Sequence, residues 1–299
     1  MKTIPATDRD TAPVLTVEDL TVVYETDEPV TAVNSADLTL HRGEILGLAG
    51  ESGCGKTTLA YAINRLHRPP ARIASGRITF HDTDGDIDIL ALGDTELRAF
   101  RWDRLSMVFQ GAMNALNPVT TVRAQLRDTL LAHRPRMSRK EIRERSEDVL
   151  RRVGVDPSRL GSYPHELSGG MRQRVMIAMA MLLEPQIMIM DEPTTALDVV
   201  VQRDILREIV RLRDELDFAV VFITHDLPLL LEISDRIAVM LEGEIVELQT
   251  ADRLYRDARH PYTRKLLDSF PSLSGARGAF IRTGVDETAN AEATTEERS

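Results

Sequence analysis

Cysteine is almost absent from this sequence. A single residue, Cys54, occurs among 299, so no intrachain disulfide can form and a secreted disulfide scaffold is excluded. Positive charge is in deficit: 37 Lys and Arg stand against 47 Asp and Glu, a formal net charge of -10. That balance argues against a dedicated nucleic-acid binder, which carries a basic face. Long apolar runs are missing too. The longest, "VMIAMAMLL" at 175 to 183, falls far short of the roughly 20 residues that a spanning helix needs. The opening "MKTIPATDRD" lacks the apolar core of a signal peptide, and no internal repeat is present. These absences predict a soluble chain whose connection to any membrane runs through a partner. What remains is an ordinary globular balance, 42% hydrophobic and 28% charged. The length suffices for one large domain or two modest ones.

Strand patterns run over residues 14 to 24 and 37 to 49, the second broken by a turn at Arg42-Gly43. A helix is predicted from Lys56 to about Arg65, closed by Pro69 and Pro70. "GRITF", "IDIL" and "RLSMVFQ" read as further short strands. From about 121 to 154 the pattern turns helical; Ser138 and Glu141 have capping-box spacing and Gly154 suits a helix end. Strand and helix then alternate again through "PQIMIMDEP", "VQRDILREIVRLRDEL", "FAVVFITHD" and "LPLLLEISD", before a hairpin with its turn at Glu242-Gly243. The alternation implies an α/β domain with a parallel, twisted sheet covered on both faces, interrupted by a helical insertion. The last fifteen residues, "VDETANAEATTEERS", have almost nothing to bury and are predicted to be disordered.

Chemistry concentrates in a few stretches. "GESGCGKT" at 50 to 57 follows a strand and opens a helix. Gly50 and Gly55 let the backbone fold around phosphates, Lys56 reaches the β- and γ-phosphates, and the Thr57 hydroxyl ligates Mg²⁺. "IMIMDEP" is an apolar strand ending in two acids, at the sheet edge where α/β folds bind ligands. Asp191 suits a grip on Mg²⁺ and Glu192 suits a base for attacking water. Alone, such an acidic pair is equally a solvated strand end; beside the glycine loop it gains meaning. Gln110 and His225 also close strands, and Asp198 follows the acidic pair in "TALD"; each by itself suits a structural role as well as a catalytic one. Tyr24 suits either stacking on a purine or half-buried strand filler. Cys54 is either a reactive thiol among phosphate-directed amides or a small residue that fits. A second candidate phosphate cradle lies in "HELSGGMRQR", where Ser168-Gly169-Gly170 presents backbone N–H groups at a helix start.

Tyr24, "GESGCGKTT", Gln110, "LSGGMRQR", "IMIMDEP", "TALD" and His225, in this order, resemble an ATP-binding-cassette (ABC) ATPase subunit over roughly residues 14 to 250. "LSGG" is the most specific element. The resemblance implies a P-loop NTPase (RecA-like) core with an antiparallel β subdomain and a helical subdomain inserted at about 112 to 166. It also implies that two such subunits pack head-to-tail, each ATP lying between the glycine loop of one and the "LSGG" of the other. On that pattern Tyr24 stacks on adenine, while Gly50, Glu51, Ser52, Gly53, Cys54, Gly55, Lys56, Thr57 and Thr58 hold the phosphates. Thr57, Gln110 and Asp191 surround Mg²⁺, Glu192 activates water and His225 contacts the γ-phosphate. Ser168, Gly169, Gly170 and Asp198 serve the partner's nucleotide at the dimer seam.

"QGAMNALNPVTTV" and, at 259 to 273, "RHPYTRKLLDSFPSL" are similar to stretches of the oligopeptide/dipeptide importer subfamily; an amphipathic terminal helix explains the second equally well. The subfamily resemblance implies a peptide importer's ATPase at the cytoplasmic face of the plasma membrane, peripherally bound. Its implied partners are a second ATPase subunit, two integral membrane permease subunits and an extracellular substrate-binding protein, with no nucleic acid. Residues 1 to 250 are then the nucleotide-binding domain and 251 to 284 an importer-type extension. With one cysteine, the iron–sulfur cluster of many such subunits is not expected. Oligosaccharide or nickel import by the same mechanism, or a soluble ABC ATPase outside transport, are the alternatives.

Overall fold

Two β-sheets of different kinds organise the chain in the computed structural model, which describes residues 12–195 and 197–269. The first eleven residues, the acidic tail expected at 285 to 299 and positions 270 to 284 of the expected extension lie outside the described residues. β1 (Pro13–Tyr24) and β2 (Val30–His41) pair antiparallel. β3 (Ile45–Ala49) leads into the glycine loop, and α1 (Lys56–Ile63) opens from it. β4 (Ala71–Asp82) and β5 (Gly85–Asp88) return to the first sheet, whose order is β2-β1-β4-β5. α2 (Asp94–Asp103) precedes β6 (Leu105–Val108). Three helices follow before the next strand: α3 (Val122–His133), α4 (Arg139–Arg152) and α5 (Gly169–Met181). Then come β7 (Ile187–Asp191), α6 (Val199–Leu216), β8 (Ala219–Ile223), α7 (Leu227–Ile233) and the hairpin β9 (Arg236–Leu241) and β10 (Glu244–Thr250). α8 (Ala251–Arg256) and α9 (Pro261–Asp268) complete the described residues.

The second sheet has the order β10-β9-β3-β8-β7-β6. All its pairings are parallel except the hairpin β9-β10. Its central strands β3, β7 and β8 are buried along their whole length, as expected when both faces are covered. Alternation assigns the two faces: Met188 and Met190 join the core against the helical insertion, while Ile187 and Ile189 join the core between the sheets. The glycine loop, Asp191 and Thr224 therefore emerge together at one edge.

Several expectations hold at residue level. Ser138 Oγ accepts from Glu141 N, and the Glu141 carboxylate accepts from Ser138 N, the reciprocal box predicted for α4. The Glu242-Gly243 turn has φ of 48° and 88°, the left-handed pair that suits a two-residue hairpin. Other boundaries move. β2 begins at Val30 instead of 37, because its first residues pair with the end of β1 at a sheet edge. α1 stops at Ile63, where Arg65 adopts φ 49°, before the prolines are reached. "IDIL" is strand only in its first half: Asp88 accepts from Leu90 N and turns Ile89–Ala91 into a short 3-10 helix. α2, absent from the sequence reading, is preceded by Gly93, whose N–H donates to the Glu96 carboxylate.

Candidate functional site

The loop between β3 and α1 is held open by glycine geometry. Gly50 sits at φ 146° and Gly55 at φ 105°; a Cβ at either would run into a backbone carbonyl, of Met240 and Ala32 respectively. No side chain caps the start of α1, so its first N–H groups are available to a ligand. Lys56, only 7% exposed, donates from Nζ to Gly50 O at 2.8 Å and Glu51 O at 2.7 Å. A buried ammonium needs such acceptors, and these hold its charge inside the loop. Cys54 is buried, and Lys56 Nζ donates to its sulfur at 3.5 Å. Glu51 directs its N–H to the Tyr262 hydroxyl at 3.0 Å. Tyr24, at the end of β1, is half-buried with its hydroxyl 3.3 Å from Thr58 Oγ1, beside the start of α1.

Across the loop, β7 delivers the two acids to contrasting environments. Asp191 is 1% exposed. Thr57 Oγ1 donates to its Oδ1 at 3.3 Å, while Oδ2 is buried without a hydrogen-bond partner among the described residues. Burial raises the Asp191 carboxyl above its ordinary pKa and Glu192 adds to the rise, against the Thr57 bond and the Lys56 charge. An orphaned, buried carboxylate oxygen beside a threonine hydroxyl is a hard-oxygen donor set that fits Mg²⁺.

Glu192 adopts φ 44°, a left-handed conformation that costs energy for a residue with a Cβ. Its side chain is gathered from three sides. Gln110 Nε2 donates to Oε2 at 2.9 Å, Thr195 Oγ1 donates to Oε2 at 3.0 Å, and His225 Nδ1 lies 3.1 Å from Oε1. Burial works to raise its pKa, but the His225 and Thr195 hydrogen bonds, with the His225 and Lys56 charges, hold it below the ordinary glutamate value. Since the Gln110 nitrogen faces a carboxylate, its amide oxygen is the group left for a cation. Thr195 was not anticipated; the signal was its place between the acidic pair and Asp198 in "DEPTTALD".

The second candidate cradle lies at a helix start. Ser168 caps α5, its Oγ accepting from Met171 N at 3.3 Å. A Cβ on Gly170 would lie 2.6 Å from Val201 Cγ1, so glycine permits α5 to approach the first turn of α6. Asp198 caps α6 through Val201 N. Among the described residues, no hydrogen bond joins Ser168, Gly169, Gly170 or Asp198 to the loop at 50 to 58. Within one chain the structure thus brings together Tyr24, the glycine loop, Gln110, Asp191, Glu192 and His225. The "LSGG" group clusters separately, with Asp198.

Residues 33–195 match the family described as ABC transporter. The chain belongs to that family. A second match, to the family described as oligopeptide/dipeptide transporter, C-terminal region, spans residues 246–295. The cassette is 43% identical to the dipeptide transport ATP-binding protein DppD of Bacillus subtilis, over 92% of this chain and 81% of that protein. It is 40% identical to the oligopeptide transport ATP-binding protein OppD of the same organism, over 88% and 73%. Among solved structures, the dimeric ABC transporter cassette MJ0796 superposes with a TM-score of 0.69 at 29% identity, covering 79% of this chain and 98% of that one. The same cassette in a post-hydrolysis state bound to ADP and Pi gives 0.68 at 28% identity, over the same shares. The fold is accordingly that of a P-loop ABC ATPase cassette, and this cassette is an ATPase by family.

Proposed function

We propose that this chain is the ATP-hydrolysing subunit of a membrane importer for oligopeptides or dipeptides, bound peripherally at the cytoplasmic face of the membrane. The observation that carries the reading is the match of residues 246–295 to the peptide-transporter C-terminal region, joined to a cassette match in one chain. The names of the relatives support it. No described helix is long and apolar enough to cross a membrane, which agrees with permease subunits supplying the pathway. A cavity of about 480 Å³, lined by Asp94, Leu97, Arg98, Arg101 and Trp102 on α2 and by His133 on α3, offers a membrane subunit a seat between α2 and the helical insertion.

In this reading residues 1 to 250 form the nucleotide-binding domain, with the helical subdomain at about 112 to 166 and the importer-type extension at 251 to 284. The loop residues 50 to 58 hold the phosphates and Tyr24 stacks on the adenine. Thr57, Asp191 and the Gln110 oxygen would hold Mg²⁺, which when bound neutralises phosphate charge. Glu192, kept ionised by its neighbours, accepts a proton from the attacking water, and His225 orients it while facing the γ-phosphate. Ser168, Gly169, Gly170 and Asp198 complete the nucleotide site of a second ATPase subunit. The separation of these groups from the chain's own loop agrees with action in trans. Two sets of donors closing on one triphosphate make ATP the link between subunits, and loss of the γ-phosphate releases it.

The test is reconstitution of the full chain with its membrane subunits and a binding protein in vesicles. Peptide-stimulated ATP hydrolysis with uptake of labelled dipeptide is the expected result. Stimulation by an oligosaccharide or nickel instead, or copurification with ribosomes or DNA in place of membrane proteins, overturns the peptide assignment.

A further inference from the structure

The peptide unit between Gly50 and Glu51 is gripped at both ends. Its carbonyl accepts from Lys56 Nζ at 2.8 Å, and its N–H donates to the Tyr262 hydroxyl at 3.0 Å. Tyr262 belongs to α9, outside the ATPase fold proper and within the segment matched to the peptide-transporter C-terminal region. We infer that Tyr262 is a positioning residue for the phosphate loop, through which the C-terminal extension fixes the peptide plane that orients Lys56. The inference rests on the ATPase reading of the loop.

Three features make the contact more than a surface accident. First, α9 is anchored close to Tyr262. The Glu247 carboxylate, buried on β10, accepts from Arg259 N at 2.8 Å and His260 N at 3.0 Å. His260 then caps the helix, its Nδ1 accepting from Tyr262 N at 3.2 Å. Thr263 is fully buried, and Leu266 and Leu267 pack against the main core. The hydroxyl is thus carried on a fixed lever.

Second, the peptide it holds is one that can turn. Gly50 has no Cβ and sits at φ 146°, so nothing in its own side chain resists rotation of the following peptide. Lys56 constrains the carbonyl end only. Third, the rest of the loop is braced from the same hairpin: Gly243 N donates to Cys54 O at 3.1 Å. β9 and β10 hold the loop's far side, and the extension anchored on β10 holds its near side. With the Glu51 N–H engaged by Tyr262, the later amides of the loop are left to meet phosphate. A cassette without this extension would need another acceptor for Glu51 N.

The experiment uses the full chain with Tyr262→Phe, which removes one oxygen and keeps the ring. Affinity for a non-hydrolysable ATP analogue, KM and kcat for ATP, amide hydrogen exchange over 50 to 57 and thermal unfolding are measured side by side. Loss of one hydrogen bond to a mobile peptide predicts KM and Kd raised by about three- to tenfold, kcat at saturating ATP within about twofold, and faster exchange at Glu51. Unchanged KM and exchange, with or without a lower Tm, overturns the inference and leaves Tyr262 a packing residue. A parent chain that fails to bind the analogue overturns the ATPase reading itself, and with it the inference.

Discussion

Glu192 and His225 are joined through Oε1 and Nδ1 at 3.1 Å, across the ends of the neighbouring strands β7 and β8. The other carboxylate oxygen receives Gln110 and Thr195, so this acid is oriented by its own following turn and by two segments distant in sequence. Such convergence suits a base whose lone pair must meet one water. Glu192→Gln keeps the shape and removes the proton acceptor. Hydrolysis is expected to fall by about 10²–10⁴-fold while ATP binding persists, so that a nucleotide-bound dimer accumulates. Single-turnover rates and size-exclusion in ATP read both effects. A near-normal rate assigns the base elsewhere.

Asp191 behaves in the opposite sense. Burial holds its folded-state pKa above the ordinary 3.8, so the folded chain binds this proton more tightly than the unfolded chain does. The contribution of the group to stability is fully present below pH 3.8 and is lost as pH rises through the raised value. At pH 7 the ionised form is a net cost in the absence of a cation. Asp191→Asn is therefore expected to raise the nucleotide-free Tm, by about 2 °C or more, while abolishing Mg²⁺-dependent hydrolysis. The gain in Tm should vanish towards pH 4. Calorimetry across pH checks the sign, and a lower Tm at pH 7 would contradict the burial argument.

The loop, the acids and the helix caps were legible because each depends on local chemistry. "GESGCGKT" needs only its own glycines, and the box of Ser138 and Glu141 closes within four residues. The edge strand β2 was half missed because Asn34 and Ser35, the latter at φ 45°, interrupt the alternation before residue 37, yet its pairing with β1 tolerates irregular register at Leu20 and Val22. Thr195 is a different case, a hydroxyl only three residues beyond Glu192, within reach of local reading. Distance in sequence hid another contact of the site: Tyr262 lies 211 residues from Glu51, and spacing does not encode it. The Gln110–Glu192 bond was likewise invisible, although both residues had been singled out.

Lys56 carries the charge of the loop, and two carbonyls hold it in place. Lys56→Ala removes the cation nearest the phosphates and leaves Gly50 O and Glu51 O without that donor. Charge-assisted hydrogen bonds are strong enough that ATP affinity is expected to fall by about a hundredfold or more. Equilibrium dialysis with labelled ATP measures it, and an unchanged affinity would mean that the ammonium takes no part in binding.

Gly170 tests the second cradle by packing alone. A Cβ there lies 2.6 Å from Val201 Cγ1, closer than real side chains approach, and a valine in the first turn of α6 has few rotamers to yield with. Gly170→Ala is expected to cost about 1–3 kcal/mol by pushing α5 away from α6, which also displaces the Ser168 and Asp198 caps from each other. Val201→Ala removes the obstructing methyl, so the double variant should recover most of the lost stability. If the second cradle acts in trans, Gly170→Ala also weakens ATP-dependent dimerisation, and the double variant restores it. Denaturant unfolding gives the first pair of values and analytical ultracentrifugation with ATP the second. Additive effects of the two substitutions would show that the helices do not meet at this point.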